Sequence, residues 1–435
     1  MNGTLLDELT DWLRIPSIST GDGDPADLRR AAEWVVERVH AAGGEGEVVE
    51  TDLHPLAVGE LRAAAPDAPT ILIYGHYDVQ SVGDPSAWQT PPFEPDVRDD
   101  RLYARGASDD KGNFLPLLHV ACELARAGEL PVNVRVLVEG EEEAGGESAS
   151  DWLKADQRGA DAAIVFDSDM ADEHTPAITI GLRGIVQAAI TVRTAERDLH
   201  SGMYGGSVLN ALHVLHAMIA QVVPGPDGRL REELRAGIED APAAERESWA
   251  RLRPGDEVLA EVRGRPVHPG AGAEYYERNG ADASLDVNFV EGGEPRTVVP
   301  SFARAQLSMR LAPRQRSEEM RPVVERLLRD AAPEGAEVSI DWHLAEPSLF
   351  DVDEPAIRLA AGAIERATGT APVMQRSGGS IPIVAELAAA GIPTIVAGFA
   401  LADDAIHAPD ESYRLESLRL GEAAARELYA ALAEL

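Results

Sequence analysis

Two kinds of apolar segment occur in this chain, and their arrangement constrains the fold more than any other feature. Segments of the first kind are continuously apolar: PTILIYGHYDV, NVRVLVEG and DAAIVFD, all before residue 170. Such strands are typical of a parallel sheet that is buried on both faces. Segments of the second kind alternate between apolar and polar residues, as in GIVQAAITVRTA after residue 183. Alternation indicates an antiparallel sheet with one face in solvent, so the chain is predicted to contain two different sheets.

The order of the segments predicts how the chain is divided. Residues 1–183 alternate between helix patterns and apolar strands, and the same pattern returns in residues 345–435, which end in a long helix. Residues 184–344 follow the order β-α-β-β-α-β, which is a known supersecondary arrangement. An Arg/Glu/Pro-rich stretch at 224–282 interrupts that order and is predicted to form short helices and loops. The sequence therefore predicts an α/β domain, split in two, with an α+β domain inserted into it.

Composition excludes several classes of protein. The 435 residues carry a formal net charge of -36, which argues against nucleic acid and against anionic membrane surfaces as partners. The single cysteine, Cys122, lies in an apolar helical stretch and is predicted to be a buried thiol, with no intrachain disulfide. No apolar run is long enough to span a bilayer, and the acidic N-terminus is not that of a signal peptide. A cytoplasmic protein is expected.

Acidic residues and histidines follow the apolar strands. They occur in YGHYD, GASDDKG, VEGEEEAGG, FDSD and DDAIH, at positions His76, Asp78, Asp109, Glu142, Glu143, Asp167 and His407. Functional sites in open α/β sheets form beyond the carboxyl ends of the strands, so these side chains are expected at one rim of the sheet. Each motif alone is more often an ordinary turn, a helix cap or a solvated charge run. Their joint occurrence in this context predicts a metal site.

The types of ligand narrow the choice of metal. Two imidazoles with several carboxylates favour zinc, manganese or cobalt over calcium or magnesium, and the lack of thiolates disfavours a purely structural zinc. The number of ligands allows two ions bridged by a carboxylate, about 3.5–4 Å apart, as in many hydrolases. One remaining carboxylate would then act as the general base. A metal-dependent hydrolase is the leading interpretation.

The same stretches resemble the M20 family of metallopeptidases, and within it the branch of the cytosolic nonspecific and carnosine dipeptidases. The matching segments run in order over nearly the whole chain: LRIPSIS, GHYDVQ, LYARGASDDKG, EGEEEAGG, FDSD, ITIGLRG, RDLHSGMYGGSV, RTVVP, LSMRLAP, RSGGSIP and DDAIH. The resemblance implies a zinc-exopeptidase-like, mostly parallel sheet sandwiched by helices as the catalytic domain (1–183 and 345–435). It also implies an inserted α+β (βαββαβ) lid and dimerisation domain (184–344).

The resemblance implies a role for each residue near the sheet. His76 and Asp167 would bind one divalent ion, Glu143 and His407 would bind the other, and Asp109 would bridge them. Glu142 would be the general acid/base, and Asp78 would orient the imidazole of His76. A cis peptide bond is expected between Asp109 and Asp110. The acid run carries an additional residue, Glu141, which is expected to lie in solvent.

In the inserted domain the resemblance implies substrate-binding residues. His200 would reach the active site of a partner subunit and stabilise the oxyanion, so a homodimer is expected. Thr297 and Arg310 would hold the carboxylate end of a small peptide substrate, and Gly379 and Ser380 would form a substrate-binding loop. The remaining histidines, among them His119, match no motif and are predicted to be structural.

Three functions are open for a chain with these residues. The first is a dipeptidase that uses two divalent ions, with zinc favoured and manganese or cobalt possible. The second is an N-acyl-amino-acid deacylase or desuccinylase that uses the same chemistry on another amide, although an Asp at position 167 favours the dipeptidase branch. The third is a non-catalytic binding protein that has kept the fold. The complete set of ligands and the base argue against the third.

Overall fold

A computed structural model describes residues 3–21 and 23–435. The α-helices in the described chain are α1 (Gly3–Leu13), α2 (Pro25–Ala41), α3 (Lys111–Ala127), α4 (Ser148–Ala155), α5 (Ser201–Tyr204), α6 (Ala211–Ile219), α7 (Ala243–Trp249), α8 (Gly255–Glu261), α9 (Ser317–Asp330), α10 (Pro355–Thr368), α11 (Pro382–Ala389) and α12 (Leu415–Leu432). Shorter helical turns of the 3₁₀ or π type lie at Pro85–Ala87, Glu232–Arg235 and Glu277–Ala281. Within the described residues, no helix combines the length and the apolar character needed to cross a membrane.

The β-strands of the described chain are β1 (Glu45–Val49), β2 (Leu56–Leu61), β3 (Thr70–His76), β4 (Asp96–Arg98), β5 (Arg101–Tyr103), β6 (Asn133–Glu139), β7 (Ala162–Phe166), β8 (Ala177–Leu182), β9 (Gly184–Arg193), β10 (Leu199–His200), β11 (Ser284–Gly292), β12 (Val298–Val299), β13 (Phe302–Leu311), β14 (Glu337–Ala345), β15 (Ser348–Leu349), β16 (Val373–Ser377), β17 (Thr394–Ala397) and β18 (Ser412–Arg414).

The chain forms two compact units. The first contains the described residues up to Ile180 together with Phe350–Met374 and Glu386–Leu435, and the second contains Gly181–Leu349 and Gln375–Ala385. Residues 375–385, which the sequence analysis placed in the split α/β domain, thus group with the second unit. The reason is visible in its contacts, since the Arg376 guanidinium pairs with Glu245 and Arg183 donates to the carbonyl oxygen of Gly378 at 3.3 Å.

The centre of the large sheet in the first unit is parallel. Its strands follow the order β1-β2-β6-β3-β7-β17-β8, and the neighbours β6, β3, β7 and β17 pair in parallel. Every residue of β7 and β17 is buried, as the continuously apolar segments predicted. Because the strands are parallel, their carboxyl ends meet at one edge.

The two sides of this sheet are antiparallel, which the sequence analysis did not identify. Strands β1 and β2 pair antiparallel beside β6, and β8 pairs antiparallel with β17. Strand β1 is half exposed and reads EGEVV, so it carries neither of the two patterns used for prediction. The predicted mostly parallel sheet is therefore confirmed for the centre and is mixed at its edges.

Helix α3 lies close against β3. A side chain at Gly75 would place its Cβ atom 2.5 Å from Cδ2 of Phe114 and 2.7 Å from a carboxylate oxygen of Asp110. Only glycine permits this approach. Helix α3 begins at Lys111, directly after the Asp109–Asp110 peptide bond, which is cis as predicted.

The second unit contains a four-stranded antiparallel sheet. Its strand order is β11-β13-β9-β14, and helices α6 and α9 pack their apolar residues against buried residues of β9 and β13. The predicted order β-α-β-β-α-β corresponds to β9-α6-β11-β13-α9-β14. The stretch 224–282 contains α7, α8 and short helical turns, as expected.

Candidate metal centre

The elements of the first unit bring the strand-end residues to one edge of the sheet. His76 is the last residue of β3, Asp167 directly follows β7, and Glu142 and Glu143 follow β6 within one short loop. His407 lies in the loop after β17, where its positive φ of 61° is unusual for a residue other than glycine. Asp109 reaches the same edge from the loop before α3.

Two groups of potential ligands share one residue. His76, Asp109 and Asp167 offer ligand atoms that lie within 4.8 Å of one another, and the same is true of Asp109, Glu143 and His407. Nε2 of His76 lies 3.1 Å from Oδ1 of Asp109, whereas Nε2 of His407 lies 2.9 Å from Oδ2. Each oxygen of the Asp109 carboxylate therefore faces a different imidazole, which is the arrangement of a bridging ligand.

The orientation of His76 leaves one nitrogen for a metal. Its Nδ1 lies 3.1 Å from the carbonyl oxygen of Asp78 and 3.4 Å from Oδ1 of the Asp78 carboxylate. Both neighbours are acceptors, so a proton is held on Nδ1, and Nε2, which faces Asp109, is the nitrogen that would bind a metal. The other carboxylate oxygen of Asp78 accepts from the backbone N–H of Glu143 at 3.1 Å and so connects the two ligand groups.

The donor set fits a pair of divalent cations. It consists of two imidazoles and three carboxylates, which suits borderline and hard ions. Asp167 and Glu142 lie among the same acids, and burial together with this repulsion raises the pKa of Asp167 well above its usual range. Crowded buried carboxylates are costly unless a cation balances them. Positive charge at this edge would remove that cost.

The contact between His407 and Asp109 shifts the pKa values of these two residues in opposite directions. Hydrogen bonds to Asp109 and Glu143 raise the pKa of His407 to about 10. Burial acts to raise the pKa of Asp109, but the neighbouring imidazoles of His407 and His76 outweigh burial and hold the pKa well below its usual value. Asp109 is thus kept as an anion, the form that binds a cation.

Glu142 differs from its neighbours. Burial raises the pKa of Glu142 to about 7, with repulsion from Glu143 and Asp109 in the same direction and His76 opposing it. Among the described residues, no hydrogen bond to its carboxylate is found. A carboxylate that is free of partners and titrates near neutral pH is suited to accept and return a proton.

Glu411 is a functional candidate that the sequence analysis missed. It is fully buried, and its carboxylate accepts the backbone N–H groups of Gly106, Ser108 and Asp109 at 3.0, 3.0 and 3.1 Å and a hydrogen bond from Arg105 at 2.6 Å. It lies four residues after His407 and therefore ties the loop of one proposed ligand to the loop of another. Only its place in DDAIHAPDE, after the last predicted strand, could have drawn attention to it.

Two further acids near the site are held by hydrogen bonds. Glu141, expected in solvent, is fully buried and accepts hydrogen bonds from Thr51 Oγ1 at 3.0 Å and Ser148 Oγ at 2.7 Å. The loop between β1 and β2 and the first residue of α4 thus close around this carboxylate. Asp110 precedes α3 but makes no capping hydrogen bond; its carboxylate accepts the backbone N–H of His76 at 3.2 Å.

The candidate residues of the second unit form two groups. His200 pairs with Val298 between β10 and β12, and the neighbouring Ser201 N–H donates to the carbonyl oxygen of Thr297 at 3.1 Å. Arg310 donates to Ser380 Oγ at 3.1 Å, and Gly379 N–H donates to Ser377 Oγ at 3.1 Å. Thus His200 lies beside Thr297, and Arg310 lies beside the loop that contains Gly379 and Ser380.

Arg183 extends the second group and was not assigned a role from the sequence, although it lies in the motif ITIGLRG. It is 7% exposed and donates to Ser284 Oγ at 3.1 Å. Burial and repulsion from Arg310 lower the pKa of Arg183 to about 10. Within the described residues, neither guanidinium forms an ion pair with a carboxylate, so the two cations are available to an anionic ligand.

Comparison with known proteins identifies the class. The model of peptidase family M20/M25/M40 matches residues 72–431, and the chain belongs to this family. A cysteinylglycine-S-conjugate dipeptidase of Corynebacterium striatum is 29% identical over 405 residues, which cover 88% of this chain and 85% of that protein. A β-Ala-His dipeptidase of Homo sapiens is 29% identical, over 76% of this chain and 68% of the relative.

Solved structures agree with the family. An M20 family metallo-carboxypeptidase, Sso-CP2 of Sulfolobus solfataricus, has a TM-score of 0.89 at 27% identity, and the match covers 100% of both chains. Human carnosine dipeptidase 1 has a TM-score of 0.80 at 23% identity, over 99% of this chain and 96% of the other, and so shares the fold. A dinuclear metal-binding M20 peptidase of Bacillus subtilis has a TM-score of 0.58 at 16% identity, over 99% of this chain and 98% of the other.

Proposed function

We propose that this protein is a metallodipeptidase that hydrolyses the peptide bond of dipeptides with two divalent cations, zinc being the native metal. The observation that carries the proposal is the Asp109 carboxylate, whose two oxygens face His76 and His407 separately. The names of the relatives, which include dipeptidases of several organisms, support the substrate class. Manganese or cobalt would be accepted by the same ligands.

Each ligand group would hold one cation. His76, Asp167 and one oxygen of Asp109 would hold the first, and Glu143, His407 and the other oxygen of Asp109 would hold the second. When bound, such a pair polarises a carbonyl and makes water acidic near neutral pH. Asp78 contributes by holding the proton of His76 on Nδ1.

Glu142 would move the proton. It would take a proton from the attacking water as the C–O bond forms, and return it to the amine nitrogen as the C–N bond breaks. A pKa of about 7 suits both steps, because the group can be an anion before attack and an acid before departure of the amine. Burial of the Glu142 carboxylate is the main reason that its pKa lies in this range.

The second unit would bind the carboxylate end of the substrate. Arg310, held by Ser380, and the neighbouring Arg183 provide two cations that lack an acidic partner among the described residues. Thr297 and Gly379 would provide polar contacts in the same unit. A short peptide with a free carboxylate would neutralise this positive charge, whereas an internal peptide bond would not.

His200 would act in the active site of a second subunit. Strand β11 supports a homodimer, because among the described strands it is an edge strand that pairs with β13 alone, and it exposes Val287, Phe289 and Val290. Unpaired, apolar strand edges are typical places for association between copies of a chain. A cytoplasmic location is part of the same proposal, and fractionation of the native host tests it.

Substitution of the base tests the central claim. Glu142→Ala should abolish dipeptide hydrolysis while the bound metal, measured by elemental analysis, stays nearly unchanged, because Glu142 is not a ligand in this proposal. Full activity of this variant would refute the mechanism. A panel of dipeptides, N-acetyl amino acids and N-succinyl amino acids separates the dipeptidase from the deacylase alternative; a preference for acylated substrates would favour the latter.

Mixing two inactive variants tests the shared active site. Glu142→Ala lacks the base but keeps His200, and His200→Ala keeps the base. A mixed dimer contains one complete site, so unfolding and refolding an equal mixture should restore about a quarter of the wild-type activity if subunits pair at random in a symmetric dimer. Absence of any recovery, with dimers present, would show that His200 does not act across subunits.

A further inference from the structure

A third group of potential ligands lies away from the metal centre, in the middle of α3. His119 and Glu123 of α3 and Glu422 of α12 offer ligand atoms within 4.8 Å of one another. His119 lies eight residues after Lys111, roughly 12 Å along the helix axis at 1.5 Å per residue. The sequence predicts a structural role for His119, and the proposed peptidase mechanism does not use it.

His119 is oriented in the way that a metal-binding histidine is. Its side chain is 4% exposed, and Nδ1 lies 2.9 Å from Oε2 of Glu8 on α1. A carboxylate acceptor at Nδ1 favours a proton on that nitrogen, which leaves Nε2 as the nitrogen available to a cation. Nε2 points to Glu123, whose Oε2 lies 4.0 Å away, and no hydrogen bond to Nε2 is found in the part of the chain that the structure describes. The same pattern occurs at His76 with Asp78.

Helix geometry explains how the ligands converge. Residues four apart lie on the same face of a helix, so His119 and Glu123 project side by side. Helix α12 packs against α3, as shown by the Tyr429 hydroxyl, which donates to the carbonyl oxygen of Leu117 at 2.9 Å. Glu422 lies two turns before Tyr429 and brings a second carboxylate. One imidazole and two carboxylates with open positions for water match the ligands of zinc-class sites.

A positive charge already lies beside Glu123 and Glu422: it is the guanidinium of Arg426, a partly exposed side chain that can move. Nη2 of Arg426 lies 2.8 Å from Oε2 of Glu123 and 3.8 Å from Oε1 of Glu422, and the Arg426 side chain is 42% exposed. A divalent cation could replace the guanidinium, which would turn to solvent. Cys122 is not a ligand, because burial raises the pKa of its thiol to about 12 and Sγ donates to the carbonyl oxygen of Arg38.

We propose that His119, Glu123 and Glu422 bind an additional divalent cation of the zinc class, which links α3 to α12 and, through Glu8, to α1. Helix α3 begins immediately after the Asp109–Asp110 peptide. A cation in the middle of α3 would fasten this helix to two others and so hold the helix that follows Asp109. The site is independent of the peptidase proposal.

Metal content tests the proposal. Wild type, His119→Gln and Glu422→Gln are dialysed against a zinc buffer at sub-micromolar free zinc, and zinc per chain is measured by elemental analysis. Each variant should contain one equivalent fewer than wild type. Because the comparison is a difference, the result does not depend on how many ions the group around Asp109 binds.

Matched controls separate loss of a ligand from general effects. Glu427→Gln removes an acid from the same helix, and His213→Gln removes an exposed histidine of α6; both should keep the wild-type zinc content. Glu422→Gln preserves the shape of the side chain, and circular dichroism reports whether either ligand variant is folded. Equal zinc in wild type and a folded ligand variant would overturn the proposal, as would binding that appears only at millimolar zinc.

The competing cation offers a test in the opposite direction. Arg426→Gln removes the guanidinium from Glu123 and Glu422, so the additional zinc should bind several-fold more tightly than in wild type. Titration with a fluorescent zinc chelator measures the change. Unchanged or weaker binding of the additional zinc in this variant would contradict the proposal.

Discussion

At the scale of single residues, the candidate centre depends on side chains that hold the ligands in place. The backbone of Asp109 is held by Glu411, whose carboxylate accepts the N–H groups of Gly106, Ser108 and Asp109. Asp78 has a similar role for His76. Hydrogen-bond partners of this kind commonly have a large effect on metal affinity, although they contact neither the metal nor the substrate.

Glu411→Gln should weaken metal binding about 10–100-fold, because an amide has one acceptor oxygen where the carboxylate uses two. Titration with a competing chelator measures the affinity. Excess metal should largely restore kcat, a rescue that loss of a catalytic group would not allow. Glu416→Gln, at an exposed acid that pairs with Arg419, is the control. Unchanged affinity in Glu411→Gln would show that the buried carboxylate does not position the loop.

Glu139 predicts how stability depends on pH. Burial raises the pKa of Glu139 from 4.5 to about 8, against a hydrogen bond from Tyr74. Between pH 4.5 and about 8 the folded state therefore retains a proton that the unfolded state loses. The contribution of Glu139 to the free energy of unfolding is complete below about pH 4.5 and is lost as the pH rises through 8.

Glu139→Gln should remove this dependence, because the amide is neutral at every pH and can still accept from Tyr74. The thermal midpoint of Glu139→Gln minus that of wild type should increase by a few degrees from pH 5 to pH 8. Each unit of pKa shift corresponds to roughly 1.4 kcal/mol of stability. Calorimetry of both proteins across this range measures the difference. Parallel curves for the two proteins would contradict the assignment.

At the scale of elements, the contact between β3 and α3 controls the position of the bridging loop. Strand β3 ends in His76, and α3 begins two residues after Asp109, so both proposed ligands depend on how these elements pack. Gly75 permits their close approach. The same pair of elements thus defines the core and one half of the candidate centre.

Gly75→Ala should destabilise the protein by about 1–3 kcal/mol, because the added methyl group overlaps Phe114 and the Asp110 carboxylate. The displacement should also weaken metal binding. Denaturant unfolding and metal titration report the two effects. Gly362→Ala in helix α10, where the nearest atom is the flexible end of Arg366, should be neutral or stabilising. Equal stability of Gly75→Ala and wild type would refute the packing argument.

At the scale of the whole molecule, acidic charge dominates. The chain has a formal net charge of -36, and part of this charge is concentrated in the buried acids at the sheet edge. Divalent cations would offset this local repulsion, so metal binding and folding are expected to be linked.

Removal of metal with a chelator should lower the thermal midpoint by several degrees, since an ion at 100 times its Kd stabilises the folded state by about 2.7 kcal/mol. Calorimetry before and after chelation measures the change, and added zinc should reverse it. Asp109→Asn, which weakens both ligand groups, should lose most of the response. An unchanged midpoint after complete removal of metal would argue against stabilisation by these ions.

Much of the architecture could be predicted from local patterns. Continuous and alternating apolar segments distinguish strands buried on two faces from strands buried on one, and this physical difference is present in the residues themselves. The strand-end positions of His76 and Asp167 followed from the same patterns, because a parallel sheet places successive carboxyl ends together. The family resemblance then assigned roles, which stay predictions for each residue.

Other features depend on contacts between residues that are distant in the sequence. No local pattern distinguishes Glu411 from a surface acid, and Glu141 is buried only because separate loops close around it. The grouping of residues 375–385 with the second unit, the environment of Arg183 and the convergence of His119 with Glu422 have the same origin. The sequence by itself determined which residues could bind metal and which strands would carry them. Tertiary structure decided which carboxylates are held, paired or left free, because burial and charge at each position are set by the packing of remote segments.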